Sequence, residues 1–304
     1  MIYDIAIIGG GSAGLSAALY AARGGMKVVV FENTGYGGQI NYTYDVDNYL
    51  GIPSVNGAEL AEKMRSHVMK YNCTFSTEGV KQINNPQGKI KTVVTRKNTY
   101  STKAVIIATG ATPRKLGIMG EEEFTGNGVS YCATCDGAFS KGKTAAVIGG
   151  GNTAFEDALY LSSLCTKVYI INRSNRLRAE KTLVEKAYNT HNIEIITEQK
   201  PEKIQGDSSV KSLVLAHSIS GRISILDTNS VFVAIGRNPK SELVSDFVKL
   251  AEDASIITDE KMRTNIPGIF AAGDVRNTPL RQIITAAADG AIAATSAISY
   301  INEG

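Results

Sequence analysis

Apolar residues in this chain fall into short, nearly unbroken runs, and at two places such a run is followed by glycines and then by a helix-length stretch of mixed polarity. The first run, Ile2–Ile8, is too continuous for a strand with one wet face, so it reads as a buried parallel strand. It leads through Gly9-Gly10-Gly11-Ser12-Ala13-Gly14 into a helical segment at 15–23, and a second strand follows at 27–31. The pattern then predicts a helix at 57–71 and short strands at 79–83, 90–96 and 104–107. A second cycle opens with a strand at 142–148, glycines at 149–151, a helix at 155–164 and a strand at Lys167–Ile171. Residues 193–237 read as short strands with hairpin turns at Gly206-Asp207 and Ser220-Gly221, closing with an apolar strand at 231–237. A last buried strand at 268–274 delivers Asp274 at its end, and a helix rich in small residues follows at 283–300.

The strand, glycine turn and helix at 2–23 have a physical reading. Gly9 permits the tight turn and Gly11 lets the backbone approach a pyrophosphate. Gly14 lets the helix pack on the strand, while the amides of Ser12 and Ala13 face the anion. Glu32 stands 23 residues after Gly9, at the end of the next strand, placed to accept hydrogen bonds from a ribose 2′-hydroxyl. The pattern returns 140 residues later as Gly149-Gly150-Gly151-Asn152-Thr153-Ala154, so the chain is expected to hold two dinucleotides. The second copy differs where the acid should be. At 23 residues past Gly149 stands Asn172, with Arg173, Arg176 and Arg178 after it. A carboxylate would repel a ribose 2′-phosphate and guanidinium groups would welcome one, so the first turn suits FAD and the second NADPH.

Between the two cycles lies Tyr131-Cys132-Ala133-Thr134-Cys135-Asp136. Such a pair can close a disulfide or stand open as a dithiol with one reactive thiolate, and Asp136 adds a proton donor; half a zinc site or a structural bridge are the bland readings. Composition bears on the choice. Cys73 and Cys165 stand alone and His67, His191 and His217 are isolated, which argues against zinc with its roughly four clustered ligands. The N-terminus lacks the basic region and cleavage site of a signal peptide, so a cytoplasmic location is expected, where a lone CxxC is more often catalytic than structural. With 304 residues, 43% of them hydrophobic, two domains are the default. A net charge of +3 is scattered without blocks, giving no electrostatic case for nucleic acid or membrane. No segment reaches the roughly 20 uninterrupted apolar residues of a membrane span. A polar, glycine-rich passage at 35–51 is too long for a simple turn and offers Gly38, Gln39 and Asn48 to the edge of a ring system.

The order of these motifs, from the first fingerprint through Cys132-Ala133-Thr134-Cys135-Asp136-Gly137 and the second fingerprint to Gly273-Asp274 with Arg281-Gln282, resembles the low-molecular-weight, bacterial-type thioredoxin reductases over essentially the whole chain. The resemblance implies an α/β fold of two Rossmann-like dinucleotide-binding domains of three-layer ββα type, one inserted in the other. The FAD domain would comprise residues 1–113 and 240–304, and the NAD(P)H domain, carrying the CxxC, residues 114–239. It further implies a homodimer that passes electrons from NADPH through FAD and the Cys132/Cys135 disulfide to thioredoxin. Cys135 would be the thiol nearest the flavin, Cys132 the one that attacks the partner, and Asp136 the acid and base. Asp274 would grip the flavin's ribityl and pyrophosphate region, and the helix after Arg281 and Gln282 would point its N-terminus at the ring. Rotation of the inserted domain about crossings near Pro113 and Pro239 is implied as well.

One departure bears on the donor. The family's 2′-phosphate site usually reads His-Arg-Arg with a further Arg four positions on, whereas here it is Asn172-Arg173-Ser174 with Arg178. Losing one charge-assisted contact costs on the order of 1.5 to 3 kcal/mol, about 10- to 100-fold in affinity. NADH or reduced ferredoxin therefore stand as alternative donors. Separately, since nothing in the sequence names the partner's surface, a glutaredoxin-like protein or a peroxiredoxin stands as an alternative partner.

Overall fold

The computed structural model describes residues 2–42 and 46–303. Of the passage at 35–51, residues 43–45 therefore lie outside the described part. Among the described residues the chain forms six α-helices: α1 (Ser12–Arg23), α2 (Gly57–Met69), α3 (Ala133–Asp136), α4 (Asn152–Ser162), α5 (Lys181–Tyr188) and α6 (Ile283–Glu303). It divides into two compact units, 1–112 with 238–304, and 113–237.

In the first unit a seven-stranded sheet is built around Ile2–Ile8. Val28–Phe31 and then Thr74–Ser76 lie parallel on one side of that strand, and Thr99–Ile107 lies parallel on the other. Ile269–Ala271 pairs with the far end of Thr99–Ile107, so the last strand of the chain completes a sheet begun by the first. The hairpin Val80–Asn84 and Lys91–Thr95 extends the sheet in antiparallel sense. The central strands are β-branched and buried on both faces, as their unbroken apolar runs require. One face is covered by α1 and α6, which meet through alanines: Ala13, Ala17, Ala18 and Ala21 against Ala286, Ala293, Ala294 and Ala297.

Helix α6 is long and apolar enough, by length and composition, to cross a membrane, although Thr285, Asp289, Thr295 and Ser296 interrupt its apolar residues. Its apolar face is the alanine stripe just described, and its middle carries Asp289, held by hydrogen bonds inside the unit. Both are features of a helix packed in a protein core.

The second unit repeats the plan on five parallel strands in the order Ile193–Ile196, Lys167–Ile171, Thr144–Ile148, Ser230–Val233, Val129–Ser130. An antiparallel meander, Gln199–Gly206, Val210–His217 and Ile223–Asp227, accompanies it. The chain leaves and re-enters the first unit through two short strands, Ala111–Pro113 and Arg237–Pro239. On the first-unit side Thr109 Oγ1 donates to Lys240 O at 2.6 Å and Lys240 N to Gly110 O at 2.9 Å. Within the second unit Arg114 N donates to Gly236 O at 3.0 Å.

Several short elements escape the sequence pattern, among them Ala111–Pro113, Val129–Ser130, α3, Thr74–Ser76 and α5. Strand Thr74–Ser76 is three residues long, and α5 buries only Ala187, so neither has enough apolar positions to show a period. Helices α1 and α4 begin three residues earlier than their apolar residues announce, at Ser12 and Asn152, because the glycine turn already supplies their first helical carbonyl.

Candidate active site

The redox pair sits where strand Val129–Ser130 turns into α3. Cys132 caps that helix, and its carbonyl accepts Asp136 N–H at 3.1 Å and Cys135 N–H at 3.3 Å. This single turn brings the two Cα atoms to 5.3 Å, and the sulfurs are joined as a disulfide of 2.11 Å. Cys135 is exposed and Cys132 half-buried. Ser130, which no spacing in the sequence singles out, organises the turn. Its hydroxyl accepts Cys132 N–H at 3.0 Å and donates to Asp136 Oδ2 at 2.5 Å. Burial pushes the Asp136 carboxyl up from its ordinary pKa, against the opposing hydrogen bond from Ser130. A carboxyl so placed, at the end of the turn that carries both thiols, is suited to hold and release a proton.

Tyr131 anchors the same segment from the other side. Its hydroxyl donates to Glu121 Oε1 at 2.9 Å, and Glu121, only 1% exposed, also accepts the N–H groups of Leu116 at 2.8 Å and Gly117 at 2.7 Å. Burial first, then the bond to Glu121, pushes the Tyr131 phenol up to about 12, so it remains a donor at any working pH.

In the first unit the residues expected to hold a dinucleotide converge. Gly9 has φ +113°, and a Cβ there would lie 2.2 Å from Ala108 O, so only glycine makes this turn. At Gly11, by contrast, a Cβ would meet nothing nearer than Gly37 O at 3.9 Å, which leaves that backbone open to an approaching ligand. No side chain caps α1 and no acid occupies its first turn, so the amides after Gly11, those of Ser12, Ala13 and Gly14, remain available to an anion. Glu32 accepts Gly10 N–H at 2.9 Å through Oε2, and the N–H and hydroxyl of Thr34 at 2.8 Å each through Oε1. Gly38 backs onto Gly11, its Cβ position 3.4 Å from Gly11 Cα. Pairs remote in sequence meet here: Gln39 Nε2 donates to Asp274 Oδ2 at 3.4 Å, and Asn48 Nδ2 to Gln282 Oε1 at 2.9 Å. Arg281 lies 3.8 Å from Asp253. A flavin dinucleotide fits this set, which offers an uncapped helix for its phosphates and an acid for a ribose.

The second turn has the same backbone and different side chains. Gly149 has φ +152°, and a Cβ there would lie 2.4 Å from Ala234 O, while Gly151 faces open space and α4 has no side-chain cap. Asn152 uses both ends of its amide on Glu180, donating to Oε1 at 3.1 Å and accepting its N–H at 2.9 Å, so only its main chain is left for a phosphate. Thr153 lies exposed beside it. Asn172 is buried beneath Gly150 and turned away from the rim: Nδ2 donates to Ser174 O at 2.7 Å and Arg176 O at 3.1 Å. Arg178 N and Ala179 N in turn donate to Gly150 O at 2.7 and 3.1 Å. The loop is thereby fastened to the glycine turn, and Arg173, Arg176 and Arg178 are exposed along it with no acid in the place of Glu32.

The pyridine nucleotide-disulphide oxidoreductase family matches residues 3–290. A thioredoxin reductase from Listeria innocua is 42% identical over 99% of this chain and 95% of its own. The crystal structure of thioredoxin reductase from Streptococcus pyogenes superposes with a TM-score of 0.94 at 42% identity, covering 100% of this chain and 99% of that one. The chain belongs to the thioredoxin reductases. A further member of similar fold is the ferredoxin-flavin thioredoxin reductase from Clostridium acetobutylicum, 35% identical with a TM-score of 0.55, covering 100% of this chain and 98% of that one. As a thioredoxin reductase of the pyridine nucleotide-disulphide class the chain is an oxidoreductase with two Rossmann-like units, and its family implies FAD and a pyridine nucleotide as cofactors.

Proposed function

We propose that the chain carries an electron pair from NADPH through FAD and the Cys132–Cys135 disulfide to thioredoxin, as a cytoplasmic homodimer. The first unit would hold FAD on Gly9, Gly11, Ser12, Ala13, Gly14, Glu32, Gly38, Gln39, Asn48, Asp274, Arg281 and Gln282. The second would hold the nicotinamide nucleotide on Gly149, Gly151, Asn152, Thr153, Arg173 and Arg178. Bound there, the flavin supplies the two-electron chemistry that links a nicotinamide to a disulfide. The observation that carries the reading is the disulfide set in one helical turn against Asp136, inside a unit with its own glycine turn.

The chain's own residues then do the following. Reduction of the disulfide takes two electrons and two protons, and Asp136, its pKa raised by burial, holds and hands over a proton at the thiol beside it. Cys132, as thiolate, attacks the partner's disulfide and forms a mixed disulfide, expelling one partner thiol. Cys135 then attacks Cys132 Sγ, releases the partner's second thiol and restores the 2.11 Å bond. Ser130 keeps Asp136 oriented throughout by its 2.5 Å hydrogen bond.

A second reading concerns the donor. Ser174 stands where a family arginine is expected, and the 35%-identical relative from Clostridium acetobutylicum is a ferredoxin-flavin enzyme, so reduced ferredoxin is the competing donor. A coupled assay with purified thioredoxin, a glutaredoxin-like protein and a peroxiredoxin tests the acceptor. Turnover with thioredoxin alone supports the proposal, and turnover confined to another partner replaces it.

A further inference from the structure

We infer that Asp289, on the far side of the flavin-binding turns, is the positioning residue that sets the geometry of the flavin site, acting through Gly273 and Arg276. This rests on the reading that the first unit binds FAD. Asp289 lies in α6 and is 9% exposed. One of its oxygens, Oδ2, accepts both Gly273 N–H at 3.1 Å and Arg276 Nη1–H at 3.0 Å. Arg276 is fixed in turn, with Nε donating to Thr258 Oγ1 at 2.7 Å and its own N–H to Gly273 O at 3.1 Å. The two residues between these anchors are Asp274 and Val275, and Asp274 is the acid expected to grip the flavin's ribityl and pyrophosphate region. Its direction therefore depends on a turn that is closed by its own backbone and held to α6 by a single carboxylate oxygen.

The neighbouring residue locks α6 to the other phosphate-facing turn. At Gly290 a Cβ would lie 2.1 Å from Ala13 O and 3.0 Å from Ala17 N, so the two helices touch backbone to backbone. Ser16 Oγ donates to Ala287 O at 2.6 Å one turn earlier. Gly273 also abuts the same place, its Cβ position 2.9 Å from Ala13 Cβ. Three segments meant for the flavin thus meet at Asp289-Gly290: the first turn of α1, the Gly273-Asp274 turn, and α6, which follows directly on Gln282, the acceptor of Asn48 Nδ2–H at 2.9 Å. A rotation or slide of α6 would displace all of them together. Among the described residues no other carboxylate pairs with Arg276, so neutralising Asp289 leaves a largely buried guanidinium without its counter-charge.

Asp289→Asn keeps the size and an oxygen for Gly273 N–H but removes the charge Arg276 requires, and Thr258→Ala loosens Arg276 from its other end. Each variant is compared with the native holoprotein by FAD dissociation constant of the stripped protein, flavin absorption and fluorescence, and flavin midpoint potential, with melting temperature as a folding control. The expected result is FAD affinity about 10- to 100-fold weaker for Asp289→Asn, with a shifted flavin spectrum and potential, and a smaller change of the same sign for Thr258→Ala. Unchanged affinity, spectrum and potential in a folded Asp289→Asn protein overturn the inference and make Asp289 a core strut only. If Asp289→Asn fails to fold, an unchanged spectrum and affinity in Thr258→Ala overturn it as well. A native protein that binds no FAD overturns instead the reading on which it rests.

Discussion

The two glycine turns share a backbone plan and differ in their side chains, most of all at Glu32 against Asn172, and that difference bears on the nucleotide each would take. Both first glycines occupy conformations and spaces closed to other residues, and both third positions are open. Beneath the second glycine the first turn places Glu32, whose carboxylate reaches up to Gly10 N–H. In the second turn Asn172 occupies that place and spends its amide downward on Ser174 O and Arg176 O, which leaves the rim to three exposed arginines. A fixed anion in one turn and a cationic loop in the other are the electrostatic requirements of a ribose diol and of a 2′-phosphate.

Substituting the shared glycines tests the comparison most severely. Gly9→Ala should purify without flavin, since its Cβ would meet Ala108 O at 2.2 Å, whereas Gly149→Ala should remain yellow and lose reduction by NADPH; visible absorbance and single-turnover kinetics separate them. The acids of the second unit come next. Asp136→Asn should lower kcat by about 10²- to 10⁴-fold and flatten its pH profile, while leaving NADPH binding unaltered. At the divergent position, Asn172→Glu should weaken NADPH about 10- to 100-fold relative to NADH, read as the ratio of kcat/KM values. Ser174→Arg should sharpen the contrast in the other direction and tighten NADPH by about tenfold.

A separate effect, outside the comparison of activities, is one of stability. Burial, reinforced by Glu156, pushes Asp157 up to about 7, so between its ordinary pKa of 3.8 and 7 the folded protein holds a proton that the unfolded chain gives up. Stability therefore falls as pH rises across that window, by an upper limit of about 4 kcal/mol. Asp157→Asn should remove the fall and melt several degrees higher than the native protein at pH 8, with little difference at pH 4.

The glycine turns, Glu32 and the CxxC could be read from the residues because each depends on spacing within a few turns of chain. What Asn172 does could not, since its orientation is set by the carbonyls of Ser174 and Arg176, whose positions follow from the loop's attachment to Gly150 O. Ser130 is hidden for a similar reason: a serine two residues before a cysteine is unremarkable until Asp136 is brought within 2.5 Å of it. Asp289 did leave a signal, an acid amid alanines in a small-residue helix, but its partners Gly273 and Arg276 become neighbours only when the last strand joins the first sheet.

The claim that the second turn serves a 2′-phosphorylated nicotinamide dinucleotide is tested most directly by anaerobic stopped-flow reduction of the flavoprotein, following flavin bleaching with NADPH, NADH and reduced ferredoxin in turn. Rapid bleaching by NADPH, faster than by NADH at equal concentration, is the predicted result and means that Arg173, Arg176 and Arg178 suffice without an arginine at position 174. Bleaching by reduced ferredoxin alone would contradict the account, leaving the glycine turn at 149–154 without its nucleotide while the disulfide chemistry of Cys132 and Cys135 stood.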